Sequence, residues 1–196
     1  EEASELVKRV TNPTKLIFSD YLSEQCGAKV YLKPENMQYT GAYKIRGAYY
    51  KISTLTQEER DRGLITASAG NHAQGVAFAA KKFGCRARIV MPAEKNGYTF
   101  VHPFNDLDVA AGQGTITMEI VQELPTVDYI VVPVGGGGLI TGVATLAKML
   151  NPKIKVIGVE PAEAASMTAA LQAGEVVELE SANTIADGTA VKAVGD

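Results

Sequence analysis

Residues 129–150, YIVVPVGGGGLITGVATLAKML, join an unbroken apolar strand to an amphipathic helix through four consecutive glycines. The strand reads as buried, and the helix repeats its apolar residues at three- and four-residue intervals. Successive glycines let several backbone N–H groups converge, and the helix N-terminus adds partial positive charge. Together they make an anion site, above all for phosphate. No Lys-Ser or Lys-Thr follows the glycines, so there is no P-loop lysine. Ile140 and Thr141 stand where GxGxxG needs its third glycine, and this weakens a dinucleotide reading. Glu160, ending the next strand at about the distance of a ribose-binding acid, keeps that reading open. The plain alternative is a tight turn that only packs the helix on its strand. Four glycines exceed what such a turn needs, so phosphate is the preferred reading.

Outward from this segment, short apolar strands alternate with longer helical patterns, the signature of an α/β fold with parallel sheets. Strands are expected at 28–32, 64–67, 86–91, 129–134 and 155–160, and helices at 44–55, 71–83, 116–123 and 139–150. One junction does not fit. RARIVMP (86–92) is followed by the strand-like YTFVHPF (98–104), with only 93–97 between them. Consecutive parallel strands need a crossover of about a dozen residues. Either the two form an antiparallel hairpin on the Asn96-Gly97 pair, or a helix-containing segment is absent.

The 196 residues are 46% hydrophobic and carry a net charge of −3, which suits a sizeable core and argues against a nucleic-acid surface. No apolar run approaches a membrane span, and the start, EEASELVKRV, is too charged for a signal peptide. Cys26 and Cys85 read as reduced thiols, so a cytoplasmic enzyme is the starting class. Two isolated histidines without CxxC or HExxH spacing argue against structural zinc.

Two further segments carry chemistry. PENMQYTGAYKIRGAYYKI (34–52) places Lys44 at a helix start, where the helix N-terminus disfavours a cation and lowers its pKa. Such a lysine is a better nucleophile towards an aldehyde. On this segment alone, a solvated lysine paired with Glu35 is the stronger reading, and Arg46 reads as structural. ITASAGNHAQGVAFAAKKFG (65–84) runs strand, loop, helix. Its loop residues Ser68, Ala69, Gly70, Asn71 and His72 could hold a carboxylate or a ring oxygen at the carboxyl end of a strand. For His72, a bond to the helix or loop is preferred over a general base; His102 reads as structural.

The three segments in this order, TGAYKIRGA (40–48), ASAGNHAQG (67–75) and VPVGGGGLITG (132–142), resemble the threonine dehydratase and serine racemase group of fold-type-II pyridoxal-phosphate enzymes. The likeness extends through 13–38, 102–116 and 156–161. It implies the tryptophan-synthase-β-like fold of two lobes, each with a mostly parallel sheet flanked by helices. The large lobe would be residues 1–62 and 105–196, the small one 63–104. Helix-containing residues near 93–97, and a further part after Asp196, would then be absent.

The resemblance implies pyridoxal 5′-phosphate, attached as a Schiff base to Lys44, the residue that also moves the α-proton. Asn71 matches the partner of the ring hydroxyl oxygen. Gly135, Gly136, Gly137, Gly138 and Leu139 match the phosphate cup, and residues 68–72 the clamp for the substrate carboxylate. Tyr43 stands for a usual phenylalanine and is expected against the cofactor ring. Part of the group holds a metal beside the phosphate loop. Glu160 matches one ligand, but a second acidic position is Ser166 here, so Mg²⁺ or a monovalent cation could be held only weakly. Serine racemases carry a serine at Ala69. Racemisation needs groups on both faces of the substrate carbanion, whereas elimination needs one base. The expected activity is therefore dehydration and deamination of L-threonine, and of L-serine with it, by a homodimer or homotetramer. Racemisation, β-replacement and a catalytically silent phosphate-binding module are the alternatives.

Overall fold

The structure is a computed structural model describing residues 1–68, 70–90 and 97–196. Its helices are α1 (Glu2–Val7), α2 (Asp20–Cys26), α3 (Lys44–Thr54), α4 (Gln57–Arg62), α5 (Asn71–Phe83), α6 (Leu107–Glu123), α7 (Gly138–Leu150) and α8 (Ser166–Ala173). Its strands are β1 (Ile17–Phe18), β2 (Tyr31–Leu32), β3 (Leu64–Ala67), β4 (Ala87–Val90), β5 (Thr99–Phe100), β6 (Tyr129–Pro133) and β7 (Lys155–Val159). The strand expected at 28–32 is only β2, and it pairs antiparallel with β1.

β3 is the middle of a three-stranded parallel sheet, with β4 on one edge and β5 on the other. β4 and β5 are therefore not a hairpin, which removes that alternative. The Ala93–Asn96 part of the junction lies outside the described residues. β6 and β7 form a parallel pair in register over five residues. Ile130 and Val132 pack with Ile116, Ile120, Val143, Ala147 and Ile154. Tyr129 and Val131 face outward at 54% and 63% exposure, so β6 is covered on one face rather than both as its apolar run implies.

Helix α6 starts nine residues before the expected 116. Asp106 caps it, its carboxylate accepting from the N–H groups of Asp108 and Val109. The stretch AAGQG conceals this helix because glycine has low helix propensity. Packing explains the glycines. A Cβ on Gly112 would sit 2.6 Å from Gly47 Cα on α3, and one on Gly114 would sit 2.8 Å from Gly142 O on α7. Backbone thus meets backbone where α6 crosses both neighbours. A second core joins α3, β3 and α5 through Ala48, Ile52, Leu64, Val76 and Ala79. Cys26 and Cys85 are both free thiols. No helix among the described residues is long and apolar enough to cross a membrane.

Candidate functional site

The carboxyl ends of β3 and β6 open onto one cavity of about 590 Å³. Its walls include Tyr43, Lys44, Ser68, Gly70, Asn71 and His72, together with Gly135, Gly136, Gly137, Gly138 and Leu139. Three segments far apart in the sequence therefore meet in one place. Ala69 lies outside the described residues.

Lys44 opens α3, which has no side-chain cap and no acidic residue in its first turn. Its Nζ donates to Pro103 O at 2.8 Å and lies 5.4 Å from the Tyr43 ring centroid. Glu35 is not its partner, because that carboxylate binds Arg46 instead. The solvated-pair reading is thus overturned. Burial lowers the Lys44 pKa from 10.5 to about 8. The direction is as expected, and desolvation is its cause. Burial likewise pushes the Tyr43 phenol up to about 12, so it remains neutral.

The glycine loop lines the same cavity as Lys44. Gly137, at φ 97°, turns the chain into α7 in a conformation that favours glycine. A Cβ on Gly136 would lie 2.3 Å from the Phe104 ring, and one on Gly138 would lie 2.8 Å from Phe104 Cα. Packing against Phe104 therefore accounts for two of the four glycines without any ligand. What suits an anion is the start of α7, which has no side-chain cap.

His72 is 2% exposed, and its Nε2 lies 3.0 Å from Val101 O. A carbonyl only accepts, so Nε2 carries the proton. Burial lowers its pKa to about 4, and a neutral, anchored ring follows. His102 Nδ1 accepts from the N–H groups of Phe104 and Asn105, the structural role expected of it. Ser68 Oγ accepts from Gly70 N.

Sequence reasoning missed two parts of the wall. One is the strap Pro103–Phe104; the other is Asp187, Gly188, Thr189 and Val191. The second forms a 3₁₀ turn, and Thr189 Cα lies 3.1 Å from where a Gly135 Cβ would be. The turn-forming Asp187-Gly188 pair was the available signal. Glu160 does not line the cavity. Its carboxylate accepts from Met167 N at 2.8 Å and from Thr168 N and Oγ1 at 2.9 and 2.7 Å, closing the first turn of α8. Both oxygens are thus engaged in holding α8. No group of three or more metal-binding side chains occurs among the described residues.

A profile of pyridoxal-phosphate-dependent enzymes matches residues 7–96 and 93–196. The chain belongs to this family. An L-threonine ammonia-lyase of Thermotoga maritima is 48% identical over 231 residues, covering 100% of this chain and 58% of that protein. Those 231 residues exceed the chain's 196 by 35, and the two profile matches meet at 93–96, the junction whose crossover is too short. Threonine deaminase isoform 2 from Solanum lycopersicum superposes with a TM-score of 0.93 at 41% identity, covering 97% of this chain and 62% of that one. Maize serine racemase superposes at 0.94 and 35% identity, covering 100% and 70%. The fold is that of fold-type-II members of the family. This chain spans just under three fifths of the Thermotoga relative.

The cavity fits the family's cofactor. Its lining combines a primary amine whose pKa burial lowers to about 8, the start of α7 with no side-chain cap, and tyrosine and phenylalanine side chains.

Proposed function

We propose that this chain carries the cofactor-binding part of a pyridoxal-phosphate-dependent lyase that converts L-threonine, and L-serine with it, to a 2-oxoacid and ammonia. The observation that carries the reading is the buried Lys44 amine sharing one cavity with the uncapped start of α7. The threonine-deaminating relatives support the substrate class.

In this reading the phosphate is held by backbone N–H groups of residues 135–139. Asn71 bonds the ring's hydroxyl oxygen, and Tyr43 lies against the ring. The substrate carboxylate is held by the loop 68–72. Pyridoxal phosphate, when bound, supplies an electron sink for the charge left by α-proton removal. Lys44 Nζ, with its pKa near 8, is the group that would hold the cofactor through its aldehyde and, once the substrate amine has taken its place, would accept the α-proton. His72 is held neutral by burial and bound to Val101 O, so its part is structural support of the loop. Ala69 has no group to return a proton on the opposite face, which favours elimination over racemisation. The whole protein is expected to be a cytoplasmic homo-oligomer with residues 63–104 as a smaller lobe.

Incubating the protein with pyridoxal phosphate and L-threonine or L-serine tests this reading. Ammonia and 2-oxoacid formed in equal amounts support it. Formation of D-serine without ammonia, or a requirement for sulfide before any turnover, overturns it.

A further inference from the structure

The start of α3 has no capping side chain, bears a lysine where the helix dipole opposes a cation, and still places Lys44 within 2.8 Å of Pro103 O. Something else must fix its position. Two residues on, Arg46 is wholly buried, and all five of its N–H donors are used. Nε and Nη2 form a fork on Glu35 at 2.8 Å each. Nη1 and Nη2 form a second fork on Glu119 at 2.6 and 2.9 Å, and Nη1 also reaches Thr115 Oγ1 at 3.1 Å. Lys33 pairs with Glu119 at 2.6 Å and donates to Thr14 O, while Thr14 Oγ1 donates to Glu35. Two cations and two carboxylates thus balance inside the protein, drawn from three separate segments.

Exchanging a buried ion network for apolar side chains is often neutral or stabilising, so stability alone is a weak reason for this one. Its distinctive property is geometry, because a doubly forked guanidinium tolerates neither rotation nor sliding. Glycine contacts meet the same helical turn from both sides. A Gly75 Cβ on α5 would lie 3.0 Å from Lys44 C and O, and a Gly112 Cβ on α6 would lie 2.7 Å from Arg46 O.

We propose that Arg46, clamped between Glu35 and Glu119, is a positioning residue that sets where the Lys44 amine stands in the cavity. The proposal rests on the reading that Lys44 takes the cofactor, and the test separates the two. Intact wild type, Arg46→Lys, Glu119→Gln and Ile52→Val are compared by thermal melting and two further measurements. Ile52→Val loosens the far half of α3 without touching the network.

The first is the rate at which pyridoxal phosphate becomes borohydride-fixed on Lys44. The second, which needs no cofactor, is the pH midpoint of Lys44 labelling by acetic anhydride. Arg46→Lys and Glu119→Gln should slow fixation about ten- to a hundredfold and raise the labelling midpoint by at least about half a pH unit. Ile52→Val should lower the melting temperature and move neither readout. Wild-type rates and midpoints in both network variants, whatever their melting temperatures, overturn the proposal, as does an equal change in Ile52→Val. No fixation in wild type overturns the cofactor reading instead, and the labelling midpoints then decide the positioning role.

Discussion

The two ends of the cavity are built from different materials. At the loop end, backbone does the work: Gly137 turns the chain at φ 97°, and Gly136 and Gly138 admit Phe104. At the amine end, one side chain is brought from solvent into a buried setting and its pKa falls to about 8. A backbone site is legible locally, because strand, glycines and helix are contiguous in the sequence. A side-chain site is not, because burial is supplied by distant residues such as Pro103.

Replacing Lys44 strikes the contrast hardest. Lys44→Ala should lower kcat by at least about a thousandfold while leaving the loop's affinity for inorganic phosphate within a few fold of wild type. Steady-state rates and a phosphate titration by calorimetry check both halves. Comparable damage to phosphate affinity would mean that the two ends are not separate. Gly138→Ala should do the reverse. Its Cβ would press on the Phe104 backbone, costing about 1–3 kcal/mol of stability and weakening phosphate binding more than it slows a phosphate-free aldehyde's reaction with Lys44. Denaturant melts and reaction with pyridoxal supply the comparison.

A pH series sharpens the amine end alone. The unfolded chain keeps its Lys44 proton up to 10.5, whereas the folded chain releases it near 8. Unfolding therefore takes up a proton in that window, and Lys44 makes folding more favourable as pH rises from 8 towards 10. The Tyr43 phenol, titrating near 12 when folded and near 10 when unfolded, acts in the opposite sense above pH 10. The stability difference between wild type and Lys44→Met, followed from pH 7 to 10, should thus move in favour of wild type as pH rises; a flat difference contradicts the burial argument. The smallest effect lies behind the loop. Glu160→Gln should destabilise α8 by about 1 kcal/mol, with cofactor affinity little changed although Met167 packs close to Gly137. A large affinity loss in that variant, read by cofactor titration, would give Glu160 a role at the loop.

Legibility followed the same division. The α/β alternation, β6, α7, β3 and α5 were readable from periodicity, and the loop from its glycines. Lys44 required the order of three motifs, since its own segment favoured a surface pair with Glu35. Helix α6 was half concealed, because its glycines serve crossings with α3 and α7 that no local pattern reveals. The wall at Asp187, Gly188 and Thr189 carried only an ordinary turn signal. Glu160 was placed by resemblance, and its hydrogen bonds to α8 are what the structure adds.

The most direct test of the central claim is to fix pyridoxal phosphate in the native protein with borohydride and map the adduct by peptide mass. One adduct per chain is expected, on Lys44, at a rate that reaches half its maximum near pH 8. An adduct on another lysine, or a half-maximum near 10.5, would contradict it.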